Sequence, residues 1–351
     1  MAEETPSIRK TDELIAKILK ELHAPGAALA VVDEEKTCIT KPFTAAAASL
    51  LVNDEDGHGD ITWETPMSGL ISEDFVLTDD YATKHATLED CLSHPTGIAT
   101  HHADLGTKSM EEKYSNHVYM AVSLTIEKKT KQPLARSLRN RLWQPLSLET
   151  TFLGIQDAYE YKESHPEVQL AGRHMWDGAA NSFRTLPDVD YLGLSGAGAM
   201  VSNVADCADW IRAFIEQKGP LSTKGYEALT GAHMMVEQKS SRFTGPVCYG
   251  LGWYVAVSHG ERVLYHLGGL SGSVASLIIL PDRITSKEVL DAAMWHIIEE
   301  HLGVPEHGRT DFVQETSSFP LVPSTNHLFR HLFHSHNFSV NTFTRPMDLS
   351  F

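Results

Sequence analysis

Cysteine is scarce in this sequence. Four cysteines are scattered through 351 positions: Cys38, Cys91, Cys207 and Cys248. Their spacing suggests neither a zinc ribbon nor the disulfide framework of a small secreted domain. Long apolar runs are also absent, and residues 1–10 contain acidic residues and Pro6 where a signal peptide would have an apolar core. We therefore expect a cytoplasmic protein that has no membrane as a partner.

Positive charge is in short supply as well. Lysine and arginine together number 29 against 46 aspartates and glutamates, which gives a formal net charge of −17. Nucleic acids and anionic membranes are bound through basic surfaces, so neither is an expected partner. No glycine-rich phosphate loop or dinucleotide fingerprint occurs, and no cofactor is predicted. The 42% hydrophobic content is that of an ordinary globular protein, and the length is sufficient for a large core.

What the sequence does contain is an alanine-rich apolar segment, residues 43–52, which predicts a buried helix. Pro42 is tolerated only in the first turn, so the helix is expected to begin close to Cys38. Cys38 would then lie at the positive end of the helix dipole, with the Lys41 ammonium three residues further on. Both effects favour the thiolate. The alternative is a buried structural cysteine beside a lysine whose stem packs on the surface.

Local patterns predict helices and strands along the rest of the chain. Thr87 and Asn203 are helix caps. The predicted helices are Leu88–Leu92, Val118–Lys128, Leu134–Trp143, Ala205–Gln217 and a segment from Ser286 to about Leu302. Alternating apolar residues predict three strands, Leu251–Val257, Arg262–His266 and Val274–Leu280. Residues 154–190 are expected to be rich in loops. Helices packed on a short antiparallel sheet define an α+β protein.

Three motifs follow one another in the chain: Cys38-x-x-Lys41 at a helix start, Tyr114-Ser115-Asn116 before a helix, and His266-Leu267-Gly268 at a strand. In this order they resemble the motifs of the serine β-lactamase and penicillin-binding protein superfamily. The similarity is greatest to its class C-like branch of esterases and acyltransferases, common in fungi. Supporting segments include residues 92–97, Leu-Ser-His-Pro-Thr-Gly.

The resemblance implies a β-lactamase/transpeptidase-like fold, in which an antiparallel sheet is flanked by helices and accompanied by a mostly helical lobe. Residues 1–310 would form this domain, with the helical lobe at about 41–215, and residues 311–351 would be a divergent tail. The predicted strand 27–32 is separated from the next helix only by residues 33–37. Strands that the family has at this point are therefore expected to be missing, and an incomplete sheet predicts marginal stability.

The resemblance also implies roles for seven residues. The predicted catalytic residues are Cys38, Lys41, Tyr114, Asn116 and His266, and the predicted oxyanion or substrate contacts are Gly268 and Gly269. Cys38 stands where the family has a nucleophilic serine. Lys41 would be its base or electrostatic partner, and Tyr114 the base or the proton relay to the leaving group. The backbone amides of Cys38 and Gly269 would hold the oxyanion.

Each of the other side chains has a simpler interpretation. Lys41 could be a cation on the helix surface, and Tyr114 an ordinary half-buried aromatic residue. Asn116 could be the cap of the helix that follows, and His266 a residue on the surface of a strand. The tail histidines 327, 331 and 334 have a spacing that can bind a metal, but no acidic neighbours support them, and no metal is predicted.

Two hypotheses of different classes follow. The first is an acyl-enzyme hydrolase or acyltransferase that acts on a small-molecule ester, amide or thioester, with a role in secondary metabolism. The second is a catalytically impaired relic that acts as a binding or scaffold protein, suggested by Cys38 and by the missing strands.

Overall fold

The computed structural model describes residues 40–53, 59–94, 115–237, 242–258, 260–270 and 273–281. The predicted strand 27–32, the predicted helix from Ser286 and the tail 311–351 lie outside these residues. The same holds for two of the predicted site residues, Cys38 and Tyr114.

Helix α1 (Thr40–Val52) is the buried helix that the sequence predicts. Eleven of its thirteen residues are buried, and Pro42 lies in its first turn, where its missing N–H group costs nothing. Phe43 stacks on Trp210, with ring centroids 4.5 Å apart. The four alanines at 45–48 let neighbouring elements approach closely, because they carry almost no side chain. As a result α1 is packed on several sides within one core.

The described residues between α1 and position 143 form further helices. In chain order they are α2 (Met67–Leu70), α3 (Asp80–His85), α4 (Leu88–Ser93), α5 (Asn116–Thr130) and α6 (Leu134–Leu138), which continues as a wider π-helical segment to Trp143. Thr87 caps α4 in a reciprocal capping box with Asp90. Helix α1 packs against α5 and α6. The predicted cap at Thr87 and the predicted helices that became α4, α5 and α6 are confirmed.

The second half of the chain contributes the remaining helices and the main sheet. The helices are α7 (Ile155–Ser164), α8 (Val204–Ile215) and α9 (Thr223–Thr230). Two small antiparallel pairs are formed by β1 (Phe152–Leu153) with β4 (Met200–Val201), and by β2 (Arg173–Asp177) with β3 (Ser182–Leu186). Asn203 accepts hydrogen bonds from two backbone N–H groups at the start of α8, as its predicted capping role requires.

Within the described residues, the main sheet is a five-stranded antiparallel meander in the order β5 to β9. Its strands are β5 (Met234–Val236), β6 (Val247–Tyr249), β7 (Tyr254–Ser258), β8 (Glu261–Leu270) and β9 (Ser273–Ile279). Residues 263–266 of β8 are buried without alternation, so this part of the strand is covered on both faces. The three strands predicted from the sequence correspond to β7, β8 and β9.

Two details differ from the sequence-based expectations. Residues 154–190 were expected to be mainly loop, but they contain α7 and the β2–β3 hairpin. Their composition is polar and four residues of β3 in a row are exposed, so neither the helical nor the strand period is marked. In addition, β8 extends beyond its predicted end at His266, so that Gly268 and Gly269 lie inside the strand, paired with Ala275 and Val274.

No helix in the described parts of the chain is both long enough and apolar enough to span a bilayer.

Candidate active site

Lys41 is held inside the protein at the start of α1. Its side chain is 2% exposed, and its Nζ atom lies 4.8 Å from the centroid of the Tyr119 ring. Burial lowers the pKa of Lys41 well below its usual value, because the charged ammonium is poorly solvated there. The interpretation of Lys41 as a cation on the helix surface is therefore wrong. A neutral amine at this position can accept a proton.

His266 reaches the same region from the middle of β8. It is 2% exposed, and its ring lies 6.4 Å from the Tyr249 ring and 6.2 Å from the Tyr254 ring. Burial, together with the charge of Lys41, lowers the pKa of His266 to about 3. The alternative of a strand-surface residue is therefore wrong for His266 too. Gly268 and Gly269 follow along the same strand, and Gly269 is exposed.

Asn116 is the first residue of α5 and is half-buried. The residue in the N-cap position is Ser115, whose side chain makes no capping hydrogen bond. Asn116 therefore is not the helix cap, and that alternative is wrong. One turn further along the same helix, Tyr119 carries the ring that faces Lys41, and its hydroxyl donates to the Leu92 carbonyl oxygen at 2.8 Å.

His94 also belongs to this cluster, although the sequence analysis assigned it no role. It is fully buried at the end of α4, and its ring lies 5.2 Å from the Tyr119 ring and 5.0 Å from the Tyr249 ring. Burial lowers the pKa of His94 well below its usual value, and the charges of Lys41 and His266 lower it further. The only signal in the sequence was its place in residues 92–97, a segment used to support the resemblance.

The structure thus brings together three basic side chains that cannot all carry charge: Lys41, His94 and His266. They come from α1, from the end of α4 and from β8, and tyrosine rings lie between them. Each has a pKa lowered first by burial, and the charge of Lys41 contributes to the shift of both histidines. Such a cluster of shifted groups is typical of sites that move protons. Among the described residues, no group of acidic, histidine or cysteine side chains is arranged to hold a metal ion.

Comparison with known proteins gives a family and a fold. The Beta-lactamase family model matches residues 11–293. The unguisins hydrolase ungD' of Aspergillus campestris is 28% identical, over 86% of this chain and 66% of the relative. The unguisins hydrolase ungD of Aspergillus violaceofuscus is 26% identical, over 89% of this chain and 68% of the relative. The chain therefore spans about two thirds of the length of these curated relatives.

Solved structures share the fold at low sequence identity. The octameric penicillin-binding protein homologue from Pyrococcus abyssi superposes with a TM-score of 0.69 at 14% identity, covering 88% of this chain and 80% of that one. FmtA from Staphylococcus aureus superposes with a TM-score of 0.58 at 16% sequence identity, covering 86% of this chain and 91% of that one. A D-stereospecific amidohydrolase from Streptomyces superposes with a TM-score of 0.51 at 20% sequence identity, covering 71% of this chain and 79% of that one. The fold is accordingly that of β-lactamases and transpeptidases.

Proposed function

The chain belongs to the beta-lactamase family, and from that premise we propose that it is an acyl-enzyme hydrolase that cleaves a small amide or ester through a thioester at Cys38. The observation that carries the proposal is the burial of Lys41 in the first turn of α1, where its pKa is lowered well below its usual value. Burial disfavours the protonated amine, and the activation of a nucleophile three residues away requires a base that can accept its proton.

In the first step, the Cys38 sulfur attacks the substrate carbonyl carbon. The thiol proton passes to the Lys41 amine, and the developing oxyanion accepts hydrogen bonds from the backbone amides of Cys38 and Gly269. When the tetrahedral intermediate collapses, the bond to the leaving group breaks. Tyr114 relays the proton from Lys41 to that group, with Asn116 orienting Lys41 and the substrate carbonyl. The products of this step are a thioester at Cys38 and a free amine or alcohol.

In the second step, water takes the place of the leaving group. The water gives a proton to the base and attacks the thioester carbonyl carbon, after which the carbon–sulfur bond breaks and the thiolate is reprotonated. The substrate leaves as a carboxylic acid, and the thiol is restored. An amine or alcohol in place of water would make the same intermediate an acyl donor, so hydrolysis and acyl transfer differ only in the second nucleophile.

Two considerations favour hydrolysis and a neutral substrate. Both curated relatives are named hydrolases, and solved structures with this fold include an amidohydrolase and a D-amino acid amidase. The names of the relatives also support a role in secondary metabolism. In addition, the lowered pKa of His266 leaves this imidazole neutral, so that β8 presents no fixed cation to an anionic substrate group.

A second candidate function, a non-catalytic binding protein, is favoured by one observation. The family nucleophile is serine, and this chain has Cys38 in its place. Sulfur is larger than oxygen and displaces the attacked carbonyl from donors spaced for a shorter nucleophile, and a misplacement of that kind can cost on the order of 100-fold in rate.

Covalent labelling distinguishes the two functions. The folded protein is mixed with p-nitrophenyl acetate and followed by intact mass and peptide mapping, beside Cys38→Ala and Cys38→Ser variants. We expect one acetyl group on Cys38, none at this position in Cys38→Ala, and faster turnover in Cys38→Ser. A Cys248→Ala variant controls for labelling of this half-buried free thiol. If the wild type is unlabelled at Cys38 and folded Cys38→Ser is inert, the enzyme proposal is wrong and the binding function replaces it.

A further inference from the structure

His94 has an unusual backbone conformation for a residue with a side chain. It ends α4 with φ 65°, in the left-handed region, and it is fully buried. Left-handed backbone is disfavoured for residues other than glycine by roughly 1–2 kcal/mol, although asparagine and histidine adopt it more often than most. A residue that keeps this conformation in a buried position is held there by its surroundings.

The residue that precedes α5 is one of the groups that contact His94. The backbone N–H of Ser115 donates a hydrogen bond to Nδ1 of His94, at 3.4 Å. Ser115 is fully buried, lies between Tyr114 and Asn116, and is the N-cap residue of α5. The first N–H groups of a helix have no partners within the helix. Here the imidazole of another element supplies an acceptor just before the helix begins.

A second hydrogen bond joins the same two elements one turn further along α5. The Tyr119 hydroxyl donates to the carbonyl oxygen of Leu92, two residues before His94. The Tyr119 ring faces both the Lys41 Nζ atom and the His94 ring. The end of α4 therefore contacts the start of α5 twice, and it does so beside the buried amine.

We propose that His94 is a positioning residue, whose imidazole accepts the Ser115 N–H and thereby fixes Asn116 and the start of α5 relative to Lys41. This inference rests on the proposed function, since it concerns the placement of two groups that act in the acylation step. His94 itself need not touch the substrate.

The hydrogen bond defines the protonation state of the ring. Nδ1 accepts, so the single ring proton of a neutral His94 must be on Nε2. A doubly protonated ring would turn an N–H toward the Ser115 N–H, and the contact would be lost. Burial and the charges of Lys41 and His266 all lower the pKa of His94, which keeps the ring neutral.

Two substitutions separate the hydrogen bond from the backbone conformation. Glycine and asparagine both tolerate the left-handed region, but only asparagine has an oxygen at the position of Nδ1. We expect His94→Gly to lower kcat for p-nitrophenyl acetate about 10- to 100-fold with little change in KM, since misplaced groups slow the chemical step. We expect His94→Asn to stay within about threefold of the wild type. Wild-type kcat in folded His94→Gly, or an equal loss in folded His94→Asn, would overturn the inference.

A second measurement does not depend on catalysis. In ¹⁵N-labelled wild-type protein we expect the Nε2–H tautomer of His94 and slow hydrogen exchange at the Ser115 amide. This protection should fall in His94→Gly and return in His94→Asn. A proton on Nδ1, or protection that is the same in all three proteins, contradicts the inference. If the wild type is not acylated while the NMR results are as expected, the proposed function has failed and the contact between His94 and Ser115 stands.

Discussion

At the scale of single residues, Lys41 shows how burial and chemistry are linked. Moving an amine out of water costs free energy unless it gives up its proton, and the lowered pKa is the measure of that cost. A buried lysine is thus a poor contributor to stability and a better proton acceptor when neutral than an exposed lysine, which stays protonated. Its position at the start of the buried helix α1 fits the role of proton acceptor that we propose for it.

Replacing Lys41 by methionine should separate these two properties. Lys41→Met keeps the length of the side chain and removes the amine, so we expect acylation of Cys38 to slow by about 10²- to 10⁴-fold, the usual contribution of a general base. Stability should be unchanged or higher, because no charge-bearing group has to be buried. Label incorporation rates and urea denaturation measure the two effects.

The matched control is Lys128→Met, on the exposed side of α5. The ammonium of Lys128 is paired with Asp74 and is 45% exposed, so its loss should leave both labelling and stability nearly as they were. Labelling of Lys41→Met at the wild-type rate would show that Lys41 is not the base.

Some residues of the site can be assigned a role from the sequence, and others cannot. Lys41 and His266 could be assigned because each belongs to a motif, and the motifs occur in the expected order. His94 could not be assigned a role, because its function depends on a left-handed backbone and on a contact with Ser115, 21 positions away. Neither feature produces a periodic pattern in the sequence from which it could be predicted.

At the scale of elements, the position of α1 is set by close backbone approaches. Gly252 has φ 80°, and a Cβ atom added to it would lie 3.1 Å from both the Ala45 Cβ and the Lys41 carbonyl oxygen. A Cβ at Gly196 would lie 2.3 Å from the Tyr119 carbonyl oxygen. The Gly196 carbonyl oxygen accepts a hydrogen bond from Thr44 Oγ1 at 2.8 Å. The turn that presents Lys41 is thus placed by glycines from distant parts of the chain.

Gly252→Ala tests this close packing. The alanine must keep an unfavourable positive φ, and its methyl group presses on α1. We therefore expect a loss of about 2–4 kcal/mol in the free energy of unfolding. Gly260→Ala is the control, because Gly260 has φ 82° and no atom within 4 Å of the added Cβ. It should lose only about 1–2 kcal/mol. Equal losses in the two variants, measured by urea denaturation, would mean that the contact with α1 carries no energy.

Prediction of the elements succeeded where an end signal or a clear period was present. The caps Thr87 and Asn203 and the alternating residues of β7 to β9 are signals of this kind. The β2–β3 hairpin was missed because its pairing buries little and its residues are largely polar. The backbone pairing that holds it together depends on geometry more than on side-chain type, and sequence patterns report it poorly.

At the scale of the whole molecule, the cluster of buried bases makes stability depend on pH. The pKa of His266 is about 3 in the folded protein against 6.5 for the ordinary side chain, and that of His94 is lowered as well. Below pH 6.5 the unfolded chain therefore binds protons that the folded protein excludes. Stability falls as the pH falls, by about 1.4 kcal/mol per pH unit for each histidine. The pKa of Lys41 is also lowered by burial, so stability falls with falling pH in a more alkaline range as well.

We expect urea denaturation between pH 6.5 and 4 to show this slope. His266→Gln should reduce it by about the contribution of one histidine. A free energy of unfolding that is flat over this range would show that the buried histidines are readily protonated in the folded protein.

Helix α1 packs against residues that are far away in the sequence, and this delays its packing during synthesis. Thr44 meets its hydrogen-bond partner 152 residues later in the sequence, and the glycine turn that contacts Ala45 comes later still. Ribosomes add about 5–20 residues per second, so the apolar surface of α1 waits on the order of 10 s for its partners. During that interval the apolar side chains of Phe43 and Leu51 are exposed and can aggregate with other nascent chains. We therefore expect the yield of folded protein to depend on how well α1 is shielded until its partners in the second half of the chain emerge.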